Sequence, residues 1–383
     1  MQQAIPAVFM RGGTSKGLFF RADQLPAASA ERDRIFLSAL GSPDPYGRQL
    51  DGLGGGISSL SKVVVVERSE RPGVDLDYIF GQVSVRQPRV DYSGNCGNLS
   101  AAVGPFAIAA GLVRPEGGEA RLMLFNSNTG KRIVASFGLD AHGQASARGD
   151  YRLPGVAGSG APIRLDFLQP GGTISGKLLP TGSAQDRLEI PGQTPVQASI
   201  IDAAALVVFV RAGDLGLQGS ELPAELTRRP EVLRRLEEIR LAGAVRAGLA
   251  SNLGDAAARC HAMPKIAMVA PAGDSLLLDA SMQPAAETDL RIRMISMEQP
   301  HNALPLTGGC CAAVAARIHG TLVAESLRDR PERMTLRLGH PSGTLDVDAT
   351  VERSDGGWHA EAATAFRTAR ILMMGSVMIP EAA

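Results

Sequence analysis

Short apolar runs dominate this chain, each a few residues long and each closed by glycine, proline or charge. Val63–Arg68 (VVVVER) is a β-branched run and reads as a strand. Asp77–Val90 (DYIFGQVSVRQPRV) alternates partly between apolar and polar and carries turn-compatible residues inside. Leu122–Phe125, Ile133–Phe137, Ile163–Phe167, Ala205–Val210, Ile266–Val269, Leu290–Ser296, Thr335–Leu338 and Thr344–Val351 read as strands too. With 44 glycines and 24 prolines, breaks are frequent, so the pattern predicts many short strands joined by tight turns.

Two segments depart from it. Leu99–Leu112 (LSAAVGPFAIAAGL) is apolar on nearly every face, and Cys310–Ile318 (CCAAVAARI) is mostly so. A helix with no polar face has no side for water, so each is expected to be a buried helix. Each follows a glycine-containing turn, Ser93–Asn98 (SGNCGN) and Thr307–Gly309 (TGG), and strand-like sequence precedes both. The halves therefore suggest one α+β plan used twice, strands wrapped around a buried central helix, although their residue-level similarity is weak. Pro230–Val245 (PEVLRRLEEIRLAGAV) is different again, an amphipathic surface helix with Val232, Leu233, Leu236, Ile239 and Val245 near one face. Gln169–Gln193 is rich in glycine and proline and reads as a linker. A chain of 383 residues exceeds one typical core. Domains of 1–183 and 184–383 follow, with the last strand, near 370–380, free to return to the first.

Composition narrows the function. Hydrophobic residues are 44% and charged residues 20%, an ordinary globular balance. Thirty-nine basic and 39 acidic side chains cancel, which argues against nucleic-acid or anionic-membrane partners. Four cysteines (Cys96, Cys260, Cys310, Cys311) are too few for a disulfide framework, and no CxxC or Cys/His spacing suggests zinc. Neither a signal-peptide segment nor an apolar run of about 18 residues is present, so a cytoplasmic enzyme or binding protein is expected.

Several short segments carry chemistry. In Ser93–Asn98, Cys96 would stand just before a buried helix, where free N–H groups and the positive helix end favour a thiolate. The same N–H groups could receive a carboxylate. Asn95 and Asn98 suit turn and cap geometry and offer amide contacts. In Asp51–Lys62 (DGLGGGISSLSK), three glycines permit close backbone approach to a ligand, Ser58, Ser59 and Ser61 supply hydroxyls, and Lys62 opens a strand. Partial desolvation there would push Lys62 toward base competence, although a surface lysine fits the sequence equally well. Neither GxxxxGK[ST] nor a GxGxxG between strand and helix occurs. Arg11–Gly17 (RGGTSKG) reads as an anion cradle or a tight hairpin turn. His301–Gly309 (HNALPLTGG) leads into the second buried helix, whose N-terminus could bind a second carboxylate. Cys310 and Cys311 would be core. Gly339–Gly343 (GHPSG) offers His340 and Ser342 as donors.

These segments resemble the PrpF family of the diaminopimelate-epimerase-like fold, which includes 2-methylaconitate cis–trans isomerase, aconitate and methylitaconate Δ-isomerases, and 4-oxalomesaconate tautomerase. The matching stretches are Met10–Gly17, Gly41–Gly52 (GSPDPYGRQLDG), Ser58–Lys62, Asp77–Ile108, Pro180–Gly182, Met263–Lys265 (MPK) and Gly339–Leu345 (GHPSGTL), in order along nearly the whole chain. The resemblance implies two like domains, each a barrel-like sheet around a central helix, with the active site between them at the helix N-termini. The wider fold often uses two cysteines, the first matching Cys96; the second would fall near Leu306, which cannot transfer a proton. In the PrpF family a lysine takes that role, and Lys62 matches it. Lys62 and Cys96 are then the expected acid–base pair. Ser15, Ser58, Ser59, Asn95, Gly97, Asn98, Lys265, Thr307, Gly308, Gly309, His340 and Ser342 are the expected substrate-binding residues. The implied activity is proton transfer on a small unsaturated di- or tricarboxylate, with no cofactor or metal, no nucleic-acid or membrane partner, and a homodimer as one possible assembly. Asp44–Gly47, the GQVS run and GHPSGTL favour the methylaconitate branch over the oxalomesaconate branch, while HNALPLTGGCC departs from it. A carboxylate-binding protein would keep the glycine cradles without Lys62 or Cys96. A thiol oxidoreductase would need a resolving cysteine beside Cys96.

Overall fold

The computed structural model describes residues 2–261, 263–296, 299–327, 335–354 and 357–380. The chain forms two compact units, residues 1–165 with 366–383, and residues 166–365. The division falls upstream of the glycine- and proline-rich Gln169–Gln193 segment.

In the first unit, β1 (Gln2–Gly12) reverses at Gly13 and Thr14 into the antiparallel β2 (Ser15–Arg21), with Gly12 opposite Ser15. Helix α1 (Ser29–Leu40) lies in the crossover to β3 (Lys62–Arg68), which runs parallel to β2 with Leu18 beside Val63. Strands β4 (Leu76–Val83) and β5 (Val90–Asp91) follow antiparallel, so the stretch expected as one strand over 77–90 is two, separated by the Ser84–Arg89 turn. Helix α2 (Gly97–Ala109) comes next, then β6 (Glu119–Asn126), parallel to β4, and β7 (Lys131–Gly138), antiparallel to β6. The C-terminal strand Ala369–Pro380 pairs antiparallel with β1.

Alternation along β2 and β3 sorts their side chains between two faces. Leu18, Phe20, Val63 and Val65 join Ile35 and Phe36 of α1 in one core, where the rings of Phe20 and Phe36 lie 5.4 Å apart. The alternate residues Ser15, Gly17 and Phe19, with Lys62, Val64 and Val66, take the opposite face. Phe19 meets Phe106 of α2 there, ring centroids 5.5 Å apart, so this is the face that α2 covers. Every α2 residue from Gly97 to Ile108 is buried, as its all-round apolarity requires.

The second unit repeats the order of pairings. Val196–Ala203 is antiparallel to Ala205–Arg211, which is parallel to Lys265–Pro271, itself antiparallel to Leu290–Ser296. The short Gln299–Pro300 strand follows, then helix Leu306–Arg317, then Leu336–His340 parallel to Leu290–Ser296 and Gly343–Ser354 antiparallel to it in turn. Antiparallel, parallel, antiparallel, helix, parallel, antiparallel is also the series in the first unit. The crossover between Arg211 and Lys265 carries the amphipathic helix Pro230–Arg246, whose Leu236 and Ile239 pack with Val208 and Met268. Helix Leu306–Arg317 starts a turn earlier than its apolar run suggested. Thr307, Gly308 and Gly309 therefore lie inside its first turn and not ahead of it. Space explains the glycines: a Cβ on Gly308 would sit 2.5 Å from Met294 Cε, and one on Gly309 2.5 Å from Leu345 Cδ2. Among the described residues no helix is long and apolar enough to cross a membrane.

Candidate active site

Lys62 is the first residue of β3 and is only 8% exposed. Pairing puts it beside Gly17 on β2 and opposite Gln82 on β4, on the face covered by α2. Its Nζ donates to Gln82 Oε1 at 2.7 Å and stands 4.8 Å from the centre of the Phe80 ring. Gln82 is itself held, its Nε2 donating to Ser61 O at 2.8 Å and Ser58 O at 3.1 Å. One amide thus ties the lysine head to the turn of 3₁₀ helix, Ser58–Leu60, just before it. The apolar ring leaves the head one strong acceptor, so Lys62 is directed and not merely buried.

Cys96 is the N-cap of α2 and is half-buried. Its thiol points toward Ser15 Oγ at 4.0 Å. No side chain caps the helix, and the first intrahelical bond runs from Ser100 N to Cys96 O. The N–H groups of Gly97, Asn98 and Leu99 thus have no intrahelical acceptor, which makes a binding place for negative charge beside the thiol. Ser15 and Gly17 share a face about 7 Å apart, and paired strands lie about 4.8 Å apart, so the Ser15 and Lys62 backbones are roughly 8 Å apart.

The loop carrying Cys96 is pinned from below. Tyr78 on β4, 2% exposed, donates to Ser100 Oγ at 2.7 Å and lies 3.3 Å from Asn95 Oδ1. Asn126 Nδ2 donates to the same oxygen at 3.2 Å, and Ser100 Oγ donates to Cys96 O at 3.1 Å. Burial holds the Tyr78 phenol well above its usual range, so it stays a neutral donor. The amide oxygen of Asn95 is spent on this network. Asn98 is likewise engaged at both ends, accepting from Arg367 Nε at 2.9 Å and donating to Thr14 Oγ1 at 3.1 Å. The Asn98 side chain is thus used at both ends to hold the loop, whereas Asn95 is held through its oxygen alone.

The structure thus brings Ser15, Lys62, Cys96, Gly97 and Asn98 onto one face of the first unit, with Ser58 and Ser59 in the turn leading to Lys62. The glycine run Gly54–Gly56 serves its own loop: a Cβ on Gly54 would meet Gln49 Oε1 at 2.3 Å. Gln49, 1% exposed, ties Ser42 and Ser61 together through Nε2 at 2.8 and 2.7 Å. Nearby, α1 and Gly41–Asp51 line a groove of 890 Å³ that includes none of the expected site residues.

The other expected residues belong to the second unit. Lys265 opens a strand parallel to its neighbour, the place Lys62 has in the first unit. Thr307, Gly308 and Gly309 form an uncapped helix start whose N-cap, Pro305, is the counterpart of Cys96. Proline cannot carry a proton, so the second thiol of a two-cysteine pair is missing there too. Ser342 donates to Asn302 O at 2.6 Å and its N–H to His340 Nδ1 at 3.2 Å, a turn held against the HNALPLTGG segment. Cys310 and Cys311 are fully buried, Cys311 Sγ donates to Ile201 O at 3.3 Å, and burial pushes its thiol well above the usual range.

One prediction follows from the packing at Gly17. A Cβ there would lie 2.4 Å from Lys62 O and 3.1 Å from Lys62 Cβ. Neither is the end of a flexible chain, so Gly17→Ala must displace β3 at its first residue. The expected cost is about 1–3 kcal/mol of stability, seen as a lower Tm. A shift of the Lys62 head should also cut kcat by about 10²-fold. An unchanged Tm and kcat would show that β3 is not held this tightly.

Comparison with known proteins identifies the class. The chain is 42% identical over 390 residues to the 2-methyl-aconitate isomerase of Cupriavidus necator, covering 99% of this chain and 98% of that one. It superposes on the crystal structure of a methylitaconate-delta-isomerase with a TM-score of 0.84 at 38% identity, covering 99% of this chain and 96% of the other. A hydroxyproline epimerase from Agrobacterium vitis shares the fold alone, with a TM-score of 0.53 at 12% identity over 100% of this chain and 95% of that one. The relatives of 42% and 38% identity, each covering nearly the whole chain, make it an isomerase. A family model described as PrpF protein matches residues 2–380. The chain belongs to the PrpF family.

Proposed function

We propose that this isomerase moves a proton on 2-methylaconitate or aconitate, with Lys62 and Cys96 as the acid–base pair. The observation carrying the reading is the shared face: a buried, directed lysine beside a strand whose Ser15 touches the thiol at an uncapped helix start. Lys62, in its neutral form, takes a proton from the carbon next to the double bond. The electron pair left behind spreads over the allyl system and the conjugated carboxylate. The amides of Gly97 and Asn98, with Ser15, Ser58 and Ser59, hold carboxylates and face this growing charge. Cys96 then returns a proton. Return to the original carbon, after rotation in the delocalised anion, exchanges cis for trans; return to the far carbon moves the double bond.

The 42% identity to a 2-methyl-aconitate isomerase over 99% of the chain supports the substrate class. The double-bond shift of methylitaconate is the second reading, favoured by the 0.84 superposition on a methylitaconate-delta-isomerase. Ultraviolet-monitored turnover of cis- and trans-2-methylaconitate, cis- and trans-aconitate, methylitaconate and 4-oxalomesaconate separates them. The highest kcat/KM is expected for a methylaconitate or an aconitate. Silence across all six from folded protein would overturn the reading and return the chain to carboxylate binding or an unlisted acid.

A further inference from the structure

Arg367 is the largest charged group buried against the Cys96 helix, 2% exposed, and nothing in the proton transfer itself uses it. We infer that Arg367 is a positioning residue that sets the polarity of a side-chain relay through Asn98 and Thr14, and so fixes the anion-binding amides and Ser15 around Cys96. The inference rests on the functional reading above.

A guanidinium only donates, so the bond from Arg367 Nε to Asn98 Oδ1 at 2.9 Å decides which end of the Asn98 amide faces it. Asn98 Nδ2 is then turned to Thr14 Oγ1, 3.1 Å away. Thr14 directly precedes Ser15, the residue whose hydroxyl meets the Cys96 thiol. The relay therefore runs from Arg367 to the second residue of α2, and from there to the hairpin turn that faces the thiol.

Surrounding bonds hold both ends of the relay. Arg367 Nη1 donates to Phe366 O at 2.9 Å. The neighbouring Thr368 O accepts from Gly13 N at 2.9 Å and from Arg11 Nη1 at 3.0 Å, and Arg11 Nη1 also reaches Gly13 O at 2.9 Å. Gly13 has φ 53°, and a Cβ there would lie 2.3 Å from Asn98 Oδ1 and 3.0 Å from Arg367 Cδ. Asn98, Arg367 and the turn therefore fill one space. An amide with a fixed direction at the second residue of α2 stops the first turn from rotating, and the free N–H groups of Gly97 and Asn98 keep their aim.

The test compares Arg367→Met, Asn98→Ala, the double variant and Arg367→Lys. Each of the first two is expected to lower kcat/KM for the best acid of the panel by roughly 10–100-fold, mainly through KM. The double variant should lose no more than about a further 3-fold, because both changes break one relay. Arg367→Lys, which keeps a donor but not the planar fork, should recover part of the loss. A second readout needs no turnover: alkylation of Cys96 by iodoacetamide, followed by mass spectrometry of its peptide. It should change by about fivefold or more in Arg367→Met and Asn98→Ala alike, since loss of the relay frees the helix start and moves Ser15 relative to the sulfur. If Arg367→Met does not fold, Asn98→Ala and Arg367→Lys carry the same comparison. Folded variants with KM and alkylation rate within about twofold of the unaltered protein would overturn the relay. Absence of turnover by the unaltered protein would strike the substrate reading alone, and the alkylation rates would still decide for or against Arg367.

Discussion

Lys62→Met is expected to lower kcat by about 10³-fold or more while leaving the protein folded. Methionine matches the lysine stem in length and can lie against the Phe80 ring that the lysine head now faces. The lost bond to Gln82 Oε1 costs about 1–3 kcal/mol, the penalty of an unmet acceptor. Gln82 keeps its two bonds to the backbone of Ser58 and Ser61, so the turn before β3 should hold. The informative companion is Lys62→Arg. Arginine keeps the positive charge and the capacity to bind a carboxylate but cannot become neutral at ordinary pH. If Lys62 abstracts the proton, Lys62→Arg is as inactive as Lys62→Met. If Lys62 only attracts substrate, the arginine variant stays within about tenfold of the original rate. Steady-state assays of both variants, with Tm alongside, separate these outcomes.

Cys96→Ser is expected to lower kcat by about 10²–10⁴-fold and yet to leave Tm unchanged or raised. A serine hydroxyl gives up its proton far less readily than a thiol, so the acid–base role suffers. At the same position serine is a good N-cap, and α2 has no side-chain cap now. Its oxygen can accept from one of the free N–H groups, a gain of about 0.5–2 kcal/mol for a helix end. That gain would also block the place proposed for a carboxylate, so KM should rise while stability improves. A stability optimum sacrificed at a functional residue is the expected mark of a site. A fall in Tm with unchanged kcat would instead make Cys96 an ordinary structural residue.

Much of the first unit was legible because its signals are local. The β-branched run after Lys62 reads as a strand, and Leu99–Leu112 has almost no polar face to leave in water. The glycine and asparagine around Cys96 then place the thiol at a helix start. The second helix was legible as buried but not in its start, because Gly308 and Gly309 look like turn residues. Their helical place depends on Met294 and Leu345 pressing against them, contacts that no local pattern contains. The same limit hid the supporting residues. Gln82, Tyr78 and Arg367 reach the site only through strand pairing or from the far end of the chain. The glycine run before Lys62 depends on such contacts too: Gly54 lies against the buried Gln49 side chain, Gly55 against Leu60 and Gly56 against the Gly47 backbone.

The most direct test of the lysine–cysteine pair is proton NMR of the best panel acid incubated in D₂O with the unaltered protein, Lys62→Met and Cys96→Ser. Isomerisation with deuterium entering the reacting carbons is expected from the unaltered protein, and both single variants should fall to roughly a hundredth of its isomerisation rate or less. Isomerisation that continues at the original rate in both folded variants would contradict the pairing and place the proton transfer elsewhere.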